Sequence, residues 1–385
     1  MNNFTYCNPV KIVFGKGSIG QLAKLVEKSD KILMIYGGGS IKKNGVYDQV
    51  KDALKNKSLI EFGGIEANPR YETCMKAVES AKTEDVDFLL GVGGGSVLDA
   101  TKFISAAVEF EGEDPWQIML THGENVQSAL PFGTVLTLPA TGSEMNFFSV
   151  ISRDSTQEKF AFASPLVYPA FSILDPETTY TLSAKQLRNG IVDAFAHVME
   201  QYATKDVNTP LQDRQAEAIV KTLVEIADEI MTGKADYETR ANFMWCATQA
   251  LNGLIACGAV QDWSTHMIGH ELTAFFGLDH AESLAVVMAS LWEIQKDSKK
   301  QKLAQLAERV FGVTEGSVDQ KADAAIERTV EFFHSVSMPT RFRDFNITAD
   351  DVKKVVSRFE ERGTVLGENK DINAERIQKI LTRSL

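Results

Sequence analysis

DFLLGVGGGSVLDATKFISA, residues 87–106, combines a short apolar run, three consecutive glycines and a second apolar segment. The run Asp87–Val92 is typical of a buried β-strand, and a helix is predicted from the glycines through Ala106. Because glycine lacks a Cβ, the turn at 93–95 lets backbone N–H groups approach a pyrophosphate at the positive end of that helix. The stretch therefore predicts a strand, a phosphate-binding turn and a helix.

This glycine turn differs from the GxGxxG fingerprint of dinucleotide-binding folds, because Leu98 stands where the last glycine would be. Ser96 is predicted to be the N-cap of the helix, and Asp99, three residues on, would complete a capping-box-like pair. A tight strand-to-helix turn without a ligand is the alternative interpretation.

The same alternation of apolar runs and amphipathic segments extends on both sides, as far as about Pro176. Further strands are predicted at Lys31–Tyr36, Leu59–Phe62, Thr134–Leu138 and Ala170–Leu174, with helices between them. Strand–helix–strand alternation implies parallel pairing in a doubly wound sheet, whose ligands lie beyond the carboxyl ends of the strands. Two more runs, Ser149–Arg153 and Glu158–Ala163, are predicted to form a hairpin on the edge of this sheet.

Helical periodicity replaces this pattern after Leu182, and no persuasive strand follows. Asp175-Pro176 is a turn signal just before the change. We therefore predict an α/β, doubly wound, mostly parallel N-terminal domain over residues 1–180, followed by an all-α helical C-terminal domain over residues 181–385. A chain of 385 residues is long enough for two such domains.

The composition is that of a folded protein with an acidic surface. Hydrophobic residues make up 44% and charged residues 24%, and the formal net charge is −12. Such a surface argues against nucleic acid or an anionic membrane as a partner, since both attract basic patches. The four cysteines lack CxxC spacing and are predicted to be buried free thiols. Without a signal-peptide pattern or an apolar run of about 18 residues, the protein is predicted to be cytoplasmic.

A second glycine run, Gly37-Gly38-Gly39-Ser40, follows the strand that ends at Tyr36. In dinucleotide-binding folds the end of a nearby strand often carries an acid that binds the adenine ribose 2′-hydroxyl. No acid occurs between Tyr36 and Lys43, whereas a hydroxyl and two lysines offer space and positive charge for a 2′-phosphate. NADP(H) is therefore predicted in preference to NAD(H), and the residues of this loop are Gly37, Gly38, Gly39, Ser40 and Lys43. A flexible surface turn with solvated lysines is the alternative.

Four of the six histidines lie in two segments of the predicted helical domain. Asp193 and His197 are four residues apart, as are His266 and His270, so each pair shares one face of a helix. One carboxylate with up to three imidazoles suits Fe²⁺ or Zn²⁺ and leaves a position open for a substrate oxygen. Isolated, hydrogen-bonded histidines are the alternative interpretation.

The fourth donor needs a turn in the chain. A straight helix would place His280 roughly 21 Å from His266, at about 1.5 Å per residue. A helix stop at Gly277 would let the chain return His280 to the others. His122 and His334 have no partner at metal-ligand spacing, and we expect them to be structural or exposed.

These motifs make the chain resemble the iron-containing (group III) alcohol dehydrogenases over essentially its whole length. The resemblance is most specific at GGGSVLDATK (93–102), LPATGSE (138–144), the GxxDAxxHxxExY pattern at 190–202, and HxxxH with a further histidine at 266–280. Within the family, the chain resembles the NADPH-dependent butanol dehydrogenase or broad-range aldehyde reductase branch. The stretches that carry this closer resemblance are YGGGSIKKNGV, DPW at 114–116 and NGLIACGAVQDWSTHMIGHELTAFFGLDHA. The resemblance implies a dehydroquinate synthase-like architecture, hydride transfer between NADP(H) and an alcohol/aldehyde pair, short to medium aldehydes as substrates, and a homodimer.

The resemblance also implies roles for particular residues. The ligands of one divalent metal, Fe²⁺ or Zn²⁺, would be Asp193, His197, His266 and His280. His270 would lie near the substrate and nicotinamide, to supply a proton or only to orient a neighbouring ligand. The positions that hold the pyrophosphate are Gly94, Gly95, Ser96 and Asp99, and the other cofactor-lining positions are Asn68, Thr137, Thr141, Asn146 and Lys159. Gly38 stands where NAD-preferring relatives carry an aspartate.

Three other functions compete with this one. A dehydroquinate synthase-like lyase would also use a metal and a nicotinamide, but it would need several basic residues near the metal, and none occurs between Gly258 and His280. A glycerol dehydrogenase-like enzyme is an alternative within the oxidoreductases. A non-catalytic metal- or nucleotide-binding protein is the third, and turnover of NADPH with any aldehyde would exclude it.

Overall fold

A six-stranded parallel sheet organises the first part of the chain. The computed structural model describes all 385 residues. Its strands are β1 (Lys11–Phe14), β2 (Lys31–Tyr36), β3 (Ser58–Gly63), β4 (Phe88–Gly94), β5 (Phe132–Leu138), β6 (Phe148–Arg153), β7 (Glu158–Ala163) and β8 (Phe171–Leu174). The sheet has the order β1-β8-β5-β4-β2-β3, and every neighbouring pair is parallel. The predicted doubly wound sheet is therefore confirmed.

The strands are apolar along most of their length because helices cover both faces of the sheet. These helices are α1 (Leu22–Leu25), α2 (Ser40–Lys43), α3 (Val46–Ala53), α4 (Tyr71–Thr83), α5 (Gly95–Val108) and α6 (Gln117–Leu120). In β2, Leu33 and Ile35 belong to the core formed with α4 and α5, whereas Ile32 and Met34 belong to the core formed with α1 and α3. This alternation follows from the pleat of the strand, which points successive side chains to opposite faces.

The predicted hairpin exists, but its predicted place on the sheet edge was wrong. Strands β6 and β7 pair antiparallel in a separate two-stranded sheet. Its apolar side chains Ile151 and Phe162 are buried in the core that contains α5, and the Phe162 ring packs edge-on against Phe103 with 6.4 Å between the ring centroids. The apolar face of the hairpin is thereby removed from water against a helix.

The remainder of the chain is helical. The helices are α7 (Ala184–Tyr202), α8 (Pro210–Met231), α9 (Tyr237–Ala250), α10 (Ser264–Phe276), α11 (His280–Ile294), α12 (Lys296–Arg309), α13 (Val318–Ser335), α14 (Ala349–Arg362) and α15 (Ala374–Arg383). The only β pairing in this part is an isolated bridge between Leu366 and Ile372, so the prediction of a helical second half is confirmed.

The chain groups into two compact units. The sheet unit comprises Cys7–Ser183 and Asp236–Thr248, and the helical unit comprises Met1–Tyr6, Ala184–Ala235 and Gln249–Leu385. Met1–Tyr6 thus belong to the helical unit and most of α9 belongs to the sheet unit. No local sequence signal indicates either assignment. That residues 1–180 and 181–385 fold as separate domains stays a prediction.

Two smaller expectations concern membranes and cysteines. None of the helices combines the length and the apolar character that crossing a bilayer requires. All four cysteines are free thiols, and Cys74 and Cys257 are buried as predicted. The prediction of burial was wrong for Cys7, which is exposed, and Cys246 is only partly buried.

Candidate functional site

Four predicted ligand side chains meet within the helical unit. Asp193 and His197 belong to α7, His266 to the first turn of α10, and His280 is the first residue of α11. Their donor atoms all lie within 4.8 Å of one another. Gly277 ends α10 in the left-handed conformation, with φ at 68°, and the chain turns there as the sequence predicts. Three helices thus supply one carboxylate and three imidazoles to a single cluster.

Hydrogen bonds define the tautomers of two of these histidines. Nδ1 of His197 lies 2.8 Å from the Asp193 carbonyl oxygen, which can only accept, so Nδ1 carries the proton. Nδ1 of His266 contacts the carboxylate of Glu200. The two Nε2 atoms are then both acceptors, and they face each other 3.1 Å apart.

This arrangement of Nε2 atoms fits a bound cation. Two lone pairs at such a distance repel each other unless a positive charge lies between them. Two imidazole nitrogens on a tetrahedral zinc ion would be separated by roughly 3.4 Å, for bonds of about 2.1 Å. The donor set of three imidazoles and one carboxylate is therefore suited to a divalent transition metal.

Burial keeps His197 in the state that binds metals. Removal from water, together with the neighbouring His266, lowers the pKa of His197 to about 4, although Asp193 opposes both effects. The ring is therefore neutral near pH 7. Neutral imidazole, and not imidazolium, offers a lone pair to a metal.

Glu200 connects α7 to the first turn of α10. Its Oε1 accepts a hydrogen bond from Thr265 N at 2.6 Å, and its Oε2 accepts one from His266 N at 3.2 Å as well as contacting His266 Nδ1. A carboxylate on the distal nitrogen of a ligating histidine fixes the orientation of the ring and raises its basicity. The sequence interpretation assigned no role to Glu200. Its position three residues after His197, and so on the same side of α7, was the available signal.

A second group of contacts fixes the start of α11. Asp279 caps this helix in a capping box with Glu282. Asn189 of α7 donates to Asp279 Oδ2 at 2.9 Å, and Arg188 lies 2.6 Å from Glu282 Oε1. Because His280 directly follows Asp279, these bonds hold the fourth donor against the helix that carries Asp193.

His270 lies beside the donor cluster and outside it. Its ring centroid is 5.7 Å from that of His280 and 6.4 Å from that of His266, and the side chain is buried. This is the place that the family resemblance implies for it: close to the cluster without belonging to the four donors. Its chemical role stays a prediction.

The three glycines lie at the carboxyl end of the sheet, as predicted, where β4 ends at Gly94 and α5 begins directly at Gly95. A Cβ on Gly95 would lie 2.4 Å from Thr141 Oγ1, and a Cβ on Gly94 would lie 3.0 Å from Leu138 Cβ. Any larger side chain would push the loop after β5 away. The backbone of these glycines can therefore approach both Thr141 and a bound phosphate closely.

The capping role predicted for Ser96 and Asp99 was wrong. Helix α5 begins at Gly95, so the N-cap is Gly94, and it makes no side-chain hydrogen bond. The first N–H groups of α5 are left for an anion. Asp99 instead accepts from Ser143 Oγ at 2.6 Å and from Val150 N at 3.0 Å, which fastens the loop after β5 and strand β6 to α5.

Lys102 is a buried residue that the sequence interpretation missed. Its Nζ donates to Ser143 Oγ, Asn146 Oδ1 and the carbonyl oxygen of Phe148 at 2.7 to 2.8 Å. Burial lowers the pKa of Lys102 to about 8. A lysine three positions after Asp99, in a helix whose other neighbours are apolar, was the signal that could have found it.

Other predicted cofactor residues meet in pairs. Lys159 of β7 donates to Asn68 Oδ1 at 2.8 Å, although the two are 91 residues apart in sequence. Thr137 is buried near the end of β5, and Thr141 follows in the loop that contacts Gly95. The structure thus brings Asn68 to Lys159 and Thr141 to Gly95, and a role of these residues in binding the cofactor stays a prediction.

The loop after β2 is open. Cβ atoms on Gly38 and Gly39 would meet nothing within 4 Å, whereas one on Gly37 would lie 3.2 Å from the carbonyl oxygen of Ile65. Ser40 begins α2 and Lys43 ends it, and both side chains are exposed. The neighbouring Lys42 lies over the rings of two tyrosines and is 3.8 Å from Glu61. Lys43 is therefore the lysine of this loop that remains available to an anion.

The histidines outside the two segments behave as expected. Nδ1 of His122 lies 3.3 Å from the carbonyl oxygen of Ala161, and Nε2 of His334 lies 2.9 Å from Thr340 Oγ1. Both histidines are exposed and distant in sequence from the four donors.

Comparison with known proteins gives concordant results over the whole chain. Residues 9–176 match the family described as iron-containing alcohol dehydrogenase, and residues 188–385 match the family described as Fe-containing alcohol dehydrogenase, C-terminal. The chain is 52% identical to the NADPH-dependent aldehyde reductase YqhD of Escherichia coli over 382 residues, which cover 99% of both chains. It is 41% identical to the probable NADH-dependent butanol dehydrogenase 1 of Bacillus subtilis, with 100% of both chains covered. A crystal structure of E. coli YqhD superposes with a TM-score of 0.98 at 51% identity, covering 100% of this chain and 99% of that one.

Proposed function

The chain belongs to the iron-containing alcohol dehydrogenase family, and from that premise we propose that it reduces short to medium aldehydes with NADPH at a divalent metal. Membership makes it an NAD(P)-dependent oxidoreductase of the alcohol dehydrogenase and aldehyde reductase class. The observation that carries the proposal is the pair of Nε2 atoms 3.1 Å apart in a cluster of three imidazoles and one carboxylate.

The residues that would hold the metal are Asp193, His197, His266 and His280. When bound, Fe²⁺ or Zn²⁺ would act as a Lewis acid that polarises the aldehyde oxygen toward hydride from the nicotinamide. Glu200 keeps the His266 ring oriented, and the bonds to Asp279 keep His280 in place. We assign to His270 the supply of the proton that the product alcohol needs, because imidazole is the side chain most often used for proton transfer and this one lies beside the donors.

NADPH would be held by the loops of the sheet unit. The turn at Gly94 and Gly95 and the uncapped start of α5 suit the pyrophosphate. The exposed Ser40 and Lys43 suit a 2′-phosphate. Gly38 has open space beside it and carries no carboxylate that would repel the phosphate. The similar proteins carry names with either NADPH or NADH, so the proposal for NADPH rests on this loop and on the greater similarity to the E. coli enzyme.

The competing functions have less support. The family match and the absence of lysine and arginine between Gly258 and His280 disfavour a lyase that acts on a phosphorylated acid. A homodimer and a cytoplasmic location are proposed from the family resemblance and the sequence alone.

The experiment compares NADPH and NADH oxidation by metal-analysed protein with butanal, shorter aldehydes and glyceraldehyde, with and without a chelator. We expect chelator-sensitive turnover that prefers NADPH and a straight-chain aldehyde. A preference for glyceraldehyde would instead favour a glycerol dehydrogenase-like enzyme. Bound metal without turnover of any aldehyde would contradict the proposal and favour the lyase or the binding protein.

A further inference from the structure

Three charged side chains meet inside the helical unit without belonging to the four donors. They are Lys299 of α12, Asp262 just before α10, and Glu368 between α14 and α15. Nζ of Lys299 lies 2.8 Å from Asp262 Oδ2 and 3.1 Å from Glu368 Oε1, and the three side chains are only 3 to 4% exposed. The same Nζ donates to the carbonyl oxygen of Ala203 at 2.8 Å. Every hydrogen of this ammonium therefore has an acceptor.

Such a buried cluster is weak evidence for stability as such. Removing charges from water is costly, and apolar residues of similar volume often serve stability equally well. Buried ionic groups are best explained where they fix one particular arrangement of the chain. The contacts of Asp262 indicate what is fixed here.

Asp262 joins the charged cluster to the start of α10. Its Oδ1 accepts from Ser264 N at 3.1 Å and from Ser264 Oγ, and its backbone N donates to the Glu200 carbonyl oxygen at 2.8 Å. The residues Thr265 and His266 then donate their N–H groups to the Glu200 carboxylate. Two carboxylates thus hold the first turn of α10, one carried by α7 and the other bound to Lys299.

We propose that Lys299 is a positioning residue of the metal site, acting through Asp262 on the first turn of α10 and so on His266. This rests on the proposed function, since it takes the four donors to be the metal ligands. Without the ammonium, the Asp262 carboxylate would be buried with no cation and would have to take up a proton or rotate away. A protonated carboxyl is a weaker acceptor for Ser264 and a rotated one no longer reaches it, so either change loosens the first turn of α10. Metal–ligand distances lie within about 0.2 Å of their usual values, so His266 would bind the metal less well.

The test measures metal affinity and coordination instead of turnover. Full-length Lys299→Met protein is compared with wild type by chelator competition for Zn²⁺ and by the visible absorption of the Co²⁺-substituted protein. We expect Zn²⁺ to bind about 10- to 100-fold more weakly, as for other residues that orient metal ligands, with a changed Co²⁺ spectrum.

Lys302→Met is the matched control. Lys302 is also a buried lysine of α12, with its side chain 6% exposed, and it pairs with Asp213 and not with the start of α10. Its replacement should lower stability by a similar mechanism and leave the Zn²⁺ affinity and the Co²⁺ spectrum unchanged. Equal Zn²⁺ affinity in the two variants would overturn the proposal.

Two further variants keep the test decisive. If Lys299→Met does not fold, Asp262→Asn removes the charge through which Lys299 acts and should weaken Zn²⁺ binding in the same direction; no loss would overturn the proposal. The double variant Asp262→Asn/Lys299→Met should weaken Zn²⁺ binding no more than the stronger single variant, because Lys299 acts through Asp262. Additive losses of affinity would show that the two residues act independently and would contradict the proposal. If His266→Ala binds Zn²⁺ as tightly as wild type, the proposed metal site itself is wrong, which is a separate outcome.

Discussion

Lys102 in the sheet unit and Lys299 in the helical unit are both buried lysines, yet their pKa values shift in opposite directions. Burial lowers the pKa of Lys102 to about 8, because its three hydrogen-bond acceptors are neutral oxygens. Burial also opposes the charge on Lys299, but the contacting carboxylates of Asp262 and Glu368 outweigh it and raise the pKa. Direct contact with carboxylates, and not depth, decides the direction.

The comparison distinguishes two ways of holding a binding loop. In the sheet unit the Lys102 ammonium donates hydrogen bonds to neutral oxygens in and just after the loop that follows β5. It loses its proton at a moderately alkaline pH. In the helical unit a closed set of charges fixes the start of α10 over the whole physiological range. The two sites should therefore respond differently to mutation and to pH.

The largest effect is expected from removing a metal donor. We expect His266→Ala to lose metal retention and aldehyde turnover by more than about a hundredfold, beyond the range of residues that only orient ligands. The fold should remain, and NADPH should still bind to the sheet unit. Metal analysis after gel filtration, with NADPH binding by fluorescence, measures both.

His334→Ala is the control for this variant, since His334 is exposed and bonded to Thr340, away from the four donors. Unchanged turnover in His266→Ala would contradict the assignment of the ligands. Loss of NADPH binding would contradict the separation of the two sites.

The two lysines should differ in their pH dependence. An unfolded lysine keeps its proton up to about pH 10.5, whereas folded Lys102 releases it near pH 8. Between these values the unfolded chain binds one more proton, so Lys102 makes the free energy of unfolding rise with pH, by up to about 3 kcal/mol. Urea unfolding from about pH 8 to about pH 10 should show this rise in wild type and lose it in Lys102→Met.

Lys299 gives the opposite expectation. Its raised pKa means that its stabilisation is complete below the unfolded pKa of about 10.5 and is lost only as pH rises through the higher folded value. Lys299→Met should therefore keep the wild-type slope between about pH 8 and about pH 10. The same slope in both variants would contradict the opposite pKa shifts of the two lysines.

Within the metal site, Glu200→Gln tests the orienting carboxylate. The amide keeps the size of the side chain but removes the charge that faces His266 Nδ1, and we expect Zn²⁺ affinity to fall about 10- to 100-fold. Glu217→Gln is the matched control, because Glu217 is a buried carboxylate of the same unit that bonds Tyr202 and Arg309. Chelator competition that gives equal affinities for both variants would count against the role of Glu200.

In the sheet unit, Gly38→Asp tests the coenzyme preference. The new side chain has open space, and the backbone at Gly38 is not in the left-handed region. A carboxylate there would bind the ribose 2′-hydroxyl of NADH and repel a 2′-phosphate, so the preference for NADPH over NADH should fall roughly tenfold or more. Steady-state kinetics with both coenzymes measure it, and metal content should not change.

Gly38→Asn separates charge from size at this position. If the asparagine variant shifts the preference as much as the aspartate variant, repulsion of the phosphate is not the cause.

The smallest effect is expected at the turn between α10 and α11. Gly277 has φ at 68°, and a Cβ there would meet no atom within 4 Å, so Gly277→Ala should cost about 1 kcal/mol of stability from the backbone alone. Gly277→Asn should cost less, because asparagine tolerates this conformation better. Thermal unfolding of the two variants checks this, and an alanine variant as stable as wild type would contradict the requirement for glycine.

Local sequence predicted the elements and much of the donor set. The apolar runs Lys31–Tyr36 and Asp87–Val92 form strands, the helix stop at Gly277 is real, and the i,i+4 pairs share helix faces. These features depend on neighbours within a few turns of chain, and that is the range over which periodicity and turn chemistry carry information. The family resemblance added the pairing of His280 with Asp193, which spacing alone left open.

Other features depend on partners distant in sequence. The hairpin β6–β7 packs on α5 instead of extending the sheet, because the burial of Ile151 and Phe162 depends on Phe103. Ser96 does not cap α5, because the helix starts at Gly95, where the backbone packs against Thr141. At both places the local sequence is compatible with the predicted arrangement as well as with the observed one.

Local patterns in the amino-acid sequence were enough to predict the parallel sheet, the helical second half, the glycine-rich segments and the pairs of donors. The side chains that complete the sites depend on packing between distant segments: Glu200 on His266, Lys102 on the loop after β5, and Lys299 on Asp262. A charged residue in a helix gives the same pattern whether it faces solvent or a buried acceptor. The packing of the helices removes it from water and so selects its partner.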